Sequence, residues 1–273
     1  MRLAAVCAIY GGYDLIPPVP EGVDDAVLIT DVPVRSGWRN LVEPSDAHPR
    51  LAAKRPKARP DLYTDCDASL WIDGSIHVRD GAFVEHVRAL LTEHDLVLTD
   101  HPEDRDCLYE EAAHCHDWPK YREDPVLAQV ADYRRMGMPE HFGLWAAGTI
   151  ARQHTDRVRG FGDVWLAEME RWSIQDQVSL PYVLWRDEIE FTTFGFDQLD
   201  NRFFDLLPHA QEIRDHRRTV LELESNAINA TSRADYFEDL FLEKRDEYDR
   251  LLRRKVVRVA LKVASLVSLL RRG

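Results

Sequence analysis

Asp65-Cys66-Asp67-Ala68-Ser69-Leu70-Trp71-Ile72-Asp73-Gly74-Ser75 is the stretch from which the fold is read. Its centre, Ala68 to Ile72, is a short run, largely apolar and bounded by polar residues and a glycine, the pattern of a buried strand. The run ends in the carboxylate of Asp73, and a residue without a side chain follows. Ligands of open α/β sheets bind beyond the carboxyl ends of the strands. An acidic group placed there, with small neighbours, can face a metal-bound diphosphate, since hard divalent cations prefer oxygen ligands. The plainer reading is an Asp that caps a turn.

The same pattern recurs. Leu3 to Ile9 reads as a buried strand, followed by Tyr10-Gly11-Gly12-Tyr13-Asp14 and a loop containing Pro17, Pro18 and Pro20. Ala26 to Thr30 is another short strand, ending in Asp31, and Leu96 to Thr99 and Phe142 to Ile150 are further candidates. Helical spacing marks Phe83 to Leu91, Cys107 to Cys115, Asp124 to Met136 and Val164 to Trp172, while Asp176 to Leu184 is a short element interrupted by Pro181. Strands alternating with helices make an α/β domain, predicted over residues 1–232, with a helical extension over 233–273.

Composition narrows the function. With 45% hydrophobic and 30% charged residues, the chain has the make-up of a globular protein with a sizeable core. Four widely spread cysteines without a C-x-x-C pair fit a reducing compartment, and the N-terminal apolar run is too short for a cleavable signal. The net charge of −13 is unevenly placed, because residues 250–273 carry eight Lys or Arg and no Asp or Glu. An acidic body repels a phosphate backbone, so no nucleic-acid partner is expected. The basic, apolar tail is too short and too charged to span a bilayer but suits an anionic membrane surface through residues 251–273. The expected location is therefore cytoplasmic, peripheral at the inner membrane face; the alternative is a tail packed on protein.

Lys54-Arg55-Pro56-Lys57 supplies three cations in four residues on a segment that Pro56 and Pro60 keep from being a long helix. Together, Cys7 to Asp14, Ile29 to Asp31, Lys54 to Lys57, Leu70 to Ser75, the His101-Pro102 to Glu111 block, and Trp172-Ser173 through Asp176-Gln177 to Tyr182 resemble one family. It is the glycosyltransferase-like domain family of the MUCI/TOD type, formerly a domain of unknown function, and the resemblance runs from about residue 4 to 186. It implies a GT-A-type, Rossmann-like mixed sheet flanked by helices, a nucleotide-sugar donor that is UDP-linked by default, a saccharide, glycolipid or protein acceptor, and Mn2+ or Mg2+.

Carried over, the resemblance puts Tyr10, Gly12, Tyr13, Asp14 and Asp31 at the nucleoside and Lys54 and Lys57 at the diphosphate. Asp73 would hold the metal or the donor sugar. Asp176 and Gln177 would meet the transferred sugar or the acceptor hydroxyl, with Asp176 or Glu168 as catalytic base in an inverting reaction. His101 and Arg105, just after a strand, are further phosphate candidates. Two departures stand out: Asp73, Gly74 and Ser75 replace the usual Asp-x-Asp with one carboxylate, and Gln175 stands where a basic residue is expected.

Glu111 and His114 form one Glu-x-x-His pair, whereas a di-metal bundle needs two such pairs and two more glutamates. Trp145, Trp165, Trp172 and Trp185 suit a core better than a sugar platform. Walker A, G-x-G-x-x-G and G-x-S-x-G motifs are absent from the sequence, which removes the usual signs of a kinase, dehydrogenase or serine hydrolase. The rival readings are a membrane-associated hydrolase and a non-catalytic scaffold that keeps a degenerate nucleotide-sugar fold.

Overall fold

The computed structural model describes residues 1–102, 105–118, 121–229 and 234–253, together with Val259 and Lys262. Its centre is a seven-stranded sheet. The strands, in chain order, are β1 (Leu3–Ile9), β2 (Asp25–Thr30), β3 (Arg39–Val42), β4 (Ala68–Ile72), β6 (Leu96–Asp100), β7 (Trp145–Gln153) and β8 (Thr192–Asp197), and β5 (Ile76–Val78) pairs with β9 (Phe204–Leu206) in a small separate ladder.

The spatial order of the large sheet is β3-β2-β1-β4-β7-β6-β8. β3, β2, β1 and β4 run parallel, and β7 is antiparallel to both β4 and β6, which makes the sheet mixed. From β1 the chain first builds outward to β2 and β3, then returns to lay β4 on the other side. That reversal opens a crevice at the carboxyl ends of β1 and β4, the place where doubly wound sheets bind ligands.

β1 is buried along its whole length because both faces are covered, so it reads as a continuous apolar run. Its side chains alternate between two cores. Ala4, Val6 and Ala8 join Trp71, Ile150, Phe161 and Trp165 on one face; Leu3, Ala5, Cys7 and Ile9 join Leu70, Ile72 and Phe83 on the other. The first face is covered by α2 (Lys54–Ala58), α4 (Leu108–Asp117), α5 (Val126–Arg135), α6 (Asp156–Arg171) and α7 (Asp176–Arg186), the second by α3 (Ala82–Leu90) and a cluster of phenylalanines from β8 and β9. The short α1 (Pro49–Ala52) leads into α2.

The expected Asp176 to Leu184 interruption does not occur: α7 continues through Pro181 to Arg186. A proline at this position cannot donate to the carbonyl four residues back, that of Gln177, yet the helix is fixed by burial of Val178, Leu180, Val183 and Leu184. β3, β5, β8 and β9 are too short or too polar to stand out in the sequence.

Past the sheet, α8 (Ala210–Asn229) and α9 (Ala234–Arg253) pack on each other. α8 is tied to the body: Gln211 N donates to the carbonyl of Tyr13 at 3.0 Å, and Arg214 donates to that of Gly12 at 2.6 Å. The divide expected near residue 232 lies between these two helices. The basic amphipathic segment expected toward residue 273 falls almost wholly outside the described residues. Among the described residues, no helix is long and apolar enough to cross a membrane.

Candidate active site

The crevice between β1 and β4 widens into a cleft of about 880 Å³. The ends of β1 and β4 supply Ala8, Ile9, Trp71 and Asp73; α2 supplies Lys54 and Lys57; α7 supplies Asp176 and Gln177; and Glu212 and Leu251 bring α8 and α9 to its edge. Lys54 and Lys57 are three residues apart, so one face of the short helix presents both.

At the floor is a compact ion cluster. Asp176 Oδ2 accepts from Lys54 Nζ at 2.7 Å and lies 2.6 Å from Lys57 Nζ. Lys57 also donates to Asp73 Oδ1 at 3.1 Å, and Trp71 Nε1 donates to the same oxygen at 2.7 Å. Lys54, Lys57 and Asp176 are all more than nine-tenths buried, whereas the side chain of Asp73 is 35% exposed to the cleft.

Burial penalises all three charges, and the partners decide the outcome. For Asp176, burial would raise the pKa, but the two ammonium groups outweigh it and hold the carboxyl well below the ordinary aspartate range. For Lys57, burial is offset by two carboxylates and the pKa is raised. Lys54 has only a share of Asp176, so burial prevails and its pKa falls to about 8. The bond to Asp176 uses one of the three N–H groups on Lys54.

A second polar pair borders the cleft, with Asp14 Oδ1 and His209 Nδ1 2.7 Å apart and the Tyr13 and His209 rings 4.7 Å apart. Asp14 lies against Gly74, where a Cβ would meet Asp14 Cβ at 2.6 Å and Oδ2 at 3.0 Å. Only glycine leaves room there. Gly74→Ala is accordingly expected to push Asp14 off His209, costing about 1–3 kcal/mol as overpacking does. Urea unfolding, paired with nucleotide titration, measures the loss of stability and of binding together.

Tyr10, Tyr13, Asp14, Lys54, Lys57, Asp73, Asp176 and Gln177 therefore share one cleft. The other named candidates, Gly12, Asp31, His101, Arg105 and Glu168, are not among the residues that line it. Asp31 accepts from Gly11 N at 2.9 Å and pins the loop from outside, while Gly12 presents its carbonyl to Arg214. His101 and Arg105 turn away because buried Glu111 draws them: Arg105 lies 3.0 Å and His101 3.9 Å from its Oε2. Glu168 is buried between helices, accepting from Tyr133 Oη at 2.8 Å with Arg186 at 3.8 Å, so it cannot reach an acceptor hydroxyl in the cleft. Trp165 is core, and the tryptophans that line the cleft are Trp71 and Trp118.

Two contributors escaped the sequence reading. Trp71 is two residues before Asp73 on one strand, so their shared face was legible from the period of two. His209 is 195 residues from its partner Asp14 and carried no local signal.

The implied Mn2+ or Mg2+ meets a poor donor set. Asp73 Oδ1 is already taken by Trp71 and Lys57, Lys57 lies 3.4 Å from Oδ2, and Gly74 and Ser75 add no carboxylate. Among the described residues no group of three His, Cys, Asp or Glu side chains is placed to hold a metal ion. A protein-built divalent site, which needs several oxygen ligands around the ion, does not fit these residues.

A mixed, Rossmann-like α/β sheet with a polar cleft at its switch point defines a fold of the glycosyltransferase-like class. Residues 43–208, well over half of the chain, match the model of the TOD1/MUCI70 glycosyltransferase-like domain, and the chain belongs to that family. The match takes in the lysines, Asp73 and the α7 carboxylate, while the loop from Tyr10 to Asp14 and His209 lie outside it. No curated protein matches the chain.

Proposed function

We propose that the protein transfers a sugar from a UDP-linked donor to a hydroxyl of a saccharide, glycolipid or protein acceptor. One observation carries the reading: two buried lysines, gathered on a single aspartate, open onto a cleft at the carboxyl ends of β1 and β4. Lys54 has only a share of Asp176 and its charge is penalised by burial, so an anionic ligand that adds a partner to it is favoured. A diphosphate meets that demand, with the nucleoside toward Tyr10, Tyr13 and Asp14 and the sugar toward Asp73. Asp176 is held on Oδ2 by two lysines and strongly acidified, so it positions them and is a poor proton acceptor.

The test is a panel of nucleotide-sugars given to the purified chain. Donor-specific release of nucleoside diphosphate supports the transferase, whereas failure to bind any nucleotide-sugar removes it. Release of fatty acid from lipid would favour the hydrolase.

Lys54 makes the binding pH-dependent. Below about pH 8 it is already charged. Above that value the free protein has lost its proton, and a diphosphate must restore it. Nucleotide affinity should fall as pH rises past 8, approaching tenfold per pH unit, with a proton taken up on binding. Calorimetry in buffers of differing ionisation enthalpy reads that proton directly; binding without proton exchange at pH 9 would separate Lys54 from the phosphate.

The basic residues of 251–273 support a peripheral position at an anionic membrane face, on its cytoplasmic side. Deletion of 254–273 should abolish co-sedimentation with phosphatidylserine vesicles and spare transfer to a soluble acceptor. Unchanged sedimentation would assign the tail to packing.

A further inference from the structure

We propose that Arg152, which does not line the cleft, positions Lys54 and Lys57 by holding the last carbonyl of α2. The inference rests on the nucleotide-sugar reading of these lysines and adds the device that sets their place.

Both lysines ride on a helix that cannot fix itself. α2 has five residues, and Pro56 in its middle has no N–H to give. A helix this short makes too few hydrogen bonds to offset its nucleation, so tertiary contacts decide where it sits. The carbonyl of Ala58, at its C-terminal end, has no acceptor role within the helix, and Ala58 is shut away from water. A buried carbonyl needs a donor. Arg152 Nη1 supplies it at 3.0 Å.

That donor is firmly seated. Arg152 is buried on β7, an interior strand, opposite Ser69 of β4 and Leu96 of β6. Among the described residues its Nε and Nη2 meet no hydrogen-bond partner, so the Ala58 carbonyl is its polar contact. Burial draws its pKa down in spite of the charge of Asp61, whereas Arg59, hydrogen-bonded to that same Asp61, has its pKa raised. For stability alone, an apolar side chain of similar volume serves a buried site as well as such a charge. The guanidinium adds a fixed point for α2.

The same strand also holds Asp73. Four residues earlier on β7, the carbonyl of Gly148 accepts from Asp73 N at 2.8 Å, and Ala147 and Gly148 line the cleft. One strand therefore ties down α2 and Asp73 at points about 13 Å apart along its length, which sets the lysines against the carboxylate. Helix α6 closes the seat: a Cβ on Gly162 would collide with the Ala58 carbonyl oxygen, so glycine is what lets that carbonyl lie where Arg152 reaches it.

The experiment uses the full chain as wild type, Arg152→Met, Arg152→Lys and Gly162→Ala. NMR of isotope-labelled lysine side chains follows the Lys54 titration in the free protein, and calorimetry measures UDP affinity. Wild-type Lys54 should titrate near pH 8. Arg152→Met, which keeps an apolar stem and loses the donor, should move that titration, weaken UDP binding by about tenfold and lower donor turnover by about 10²-fold, the scale of a misplacement of about 1 Å. Gly162→Ala strikes the same carbonyl from α6 and should reproduce these changes. Arg152→Lys retains a donor and should recover most of the loss. A merely structural arginine would lower the melting temperature and leave the Lys54 titration and UDP affinity of the folded protein alone, and that result overturns the proposal. Should Arg152→Met fail to fold, wild-type titration and affinity in Gly162→Ala overturn it instead. Wild-type protein that binds no UDP sinks the nucleotide-sugar reading, and the Lys54 titrations still decide whether Arg152 sets the lysines.

Discussion

Asp176→Asn should be the most destabilising single substitution in the cleft, lowering unfolding free energy by about 3–5 kcal/mol, the range for breaking a buried ion pair on one side. The change is nearly isosteric, so cavity formation contributes little. It removes the anion that two buried ammonium groups share, at 2.7 and 2.6 Å. Guanidinium unfolding measures the loss, and a change below about 1 kcal/mol would place these charges on the footing of a surface pair. A double variant with Lys54→Met should recover part of the stability by removing one stranded cation. The carboxyl of Asp176 has a folded pKa held below its ordinary 3.8. Its stabilising contribution is therefore complete above about pH 4 and is lost as pH falls toward that depressed value. The gap between wild type and Asp176→Asn should thus hold constant from pH 5 to 7 and close only in strong acid.

Asp73→Asn should do the reverse, costing activity and sparing the fold. Its side chain is 35% exposed, and an asparagine oxygen can still accept from Trp71, so the stability change should stay within about 1 kcal/mol. Turnover should fall by about 10²–10³-fold, because the charge that orients Lys57 is gone and an amide N–H₂ replaces an acceptor facing the sugar. Initial rates of nucleoside diphosphate release, read beside a thermal melt, separate the two effects. Near-wild-type turnover would remove Asp73 from the reacting centre.

The contrast follows from burial. Both carboxylates touch Lys57, yet Asp176 is shut in the low-dielectric floor, where an uncompensated charge is costly. Asp73 has water as an alternative partner. The same ion cluster therefore has an enclosed end and an open end.

Sequence alone determined the α/β class and the sheet centre: β1 and β4 are buried on both faces, and such strands read as continuous apolar runs. It also offered Asp73 as a candidate from its place at the end of a strand, while Asp14, Lys54, Lys57 and Asp176 came from the resemblance of their blocks to one family. Polar β3 and the three-residue β5 and β9 lacked the apolar period that would announce them. Which charges would meet was decided only by the tertiary fold. Lys54 and Asp176 are 122 residues apart and Asp14 and His209 are 195 apart, separations at which no local pattern couples two side chains. Glu168 carried the same local credentials as Asp176, an acidic residue on a helix near the proposed acceptor side. The packing of α6 against α5 turned it onto Tyr133, while the N-terminus of α7 aimed Asp176 at the lysines, and direction is a property of packing that a string of residues does not contain.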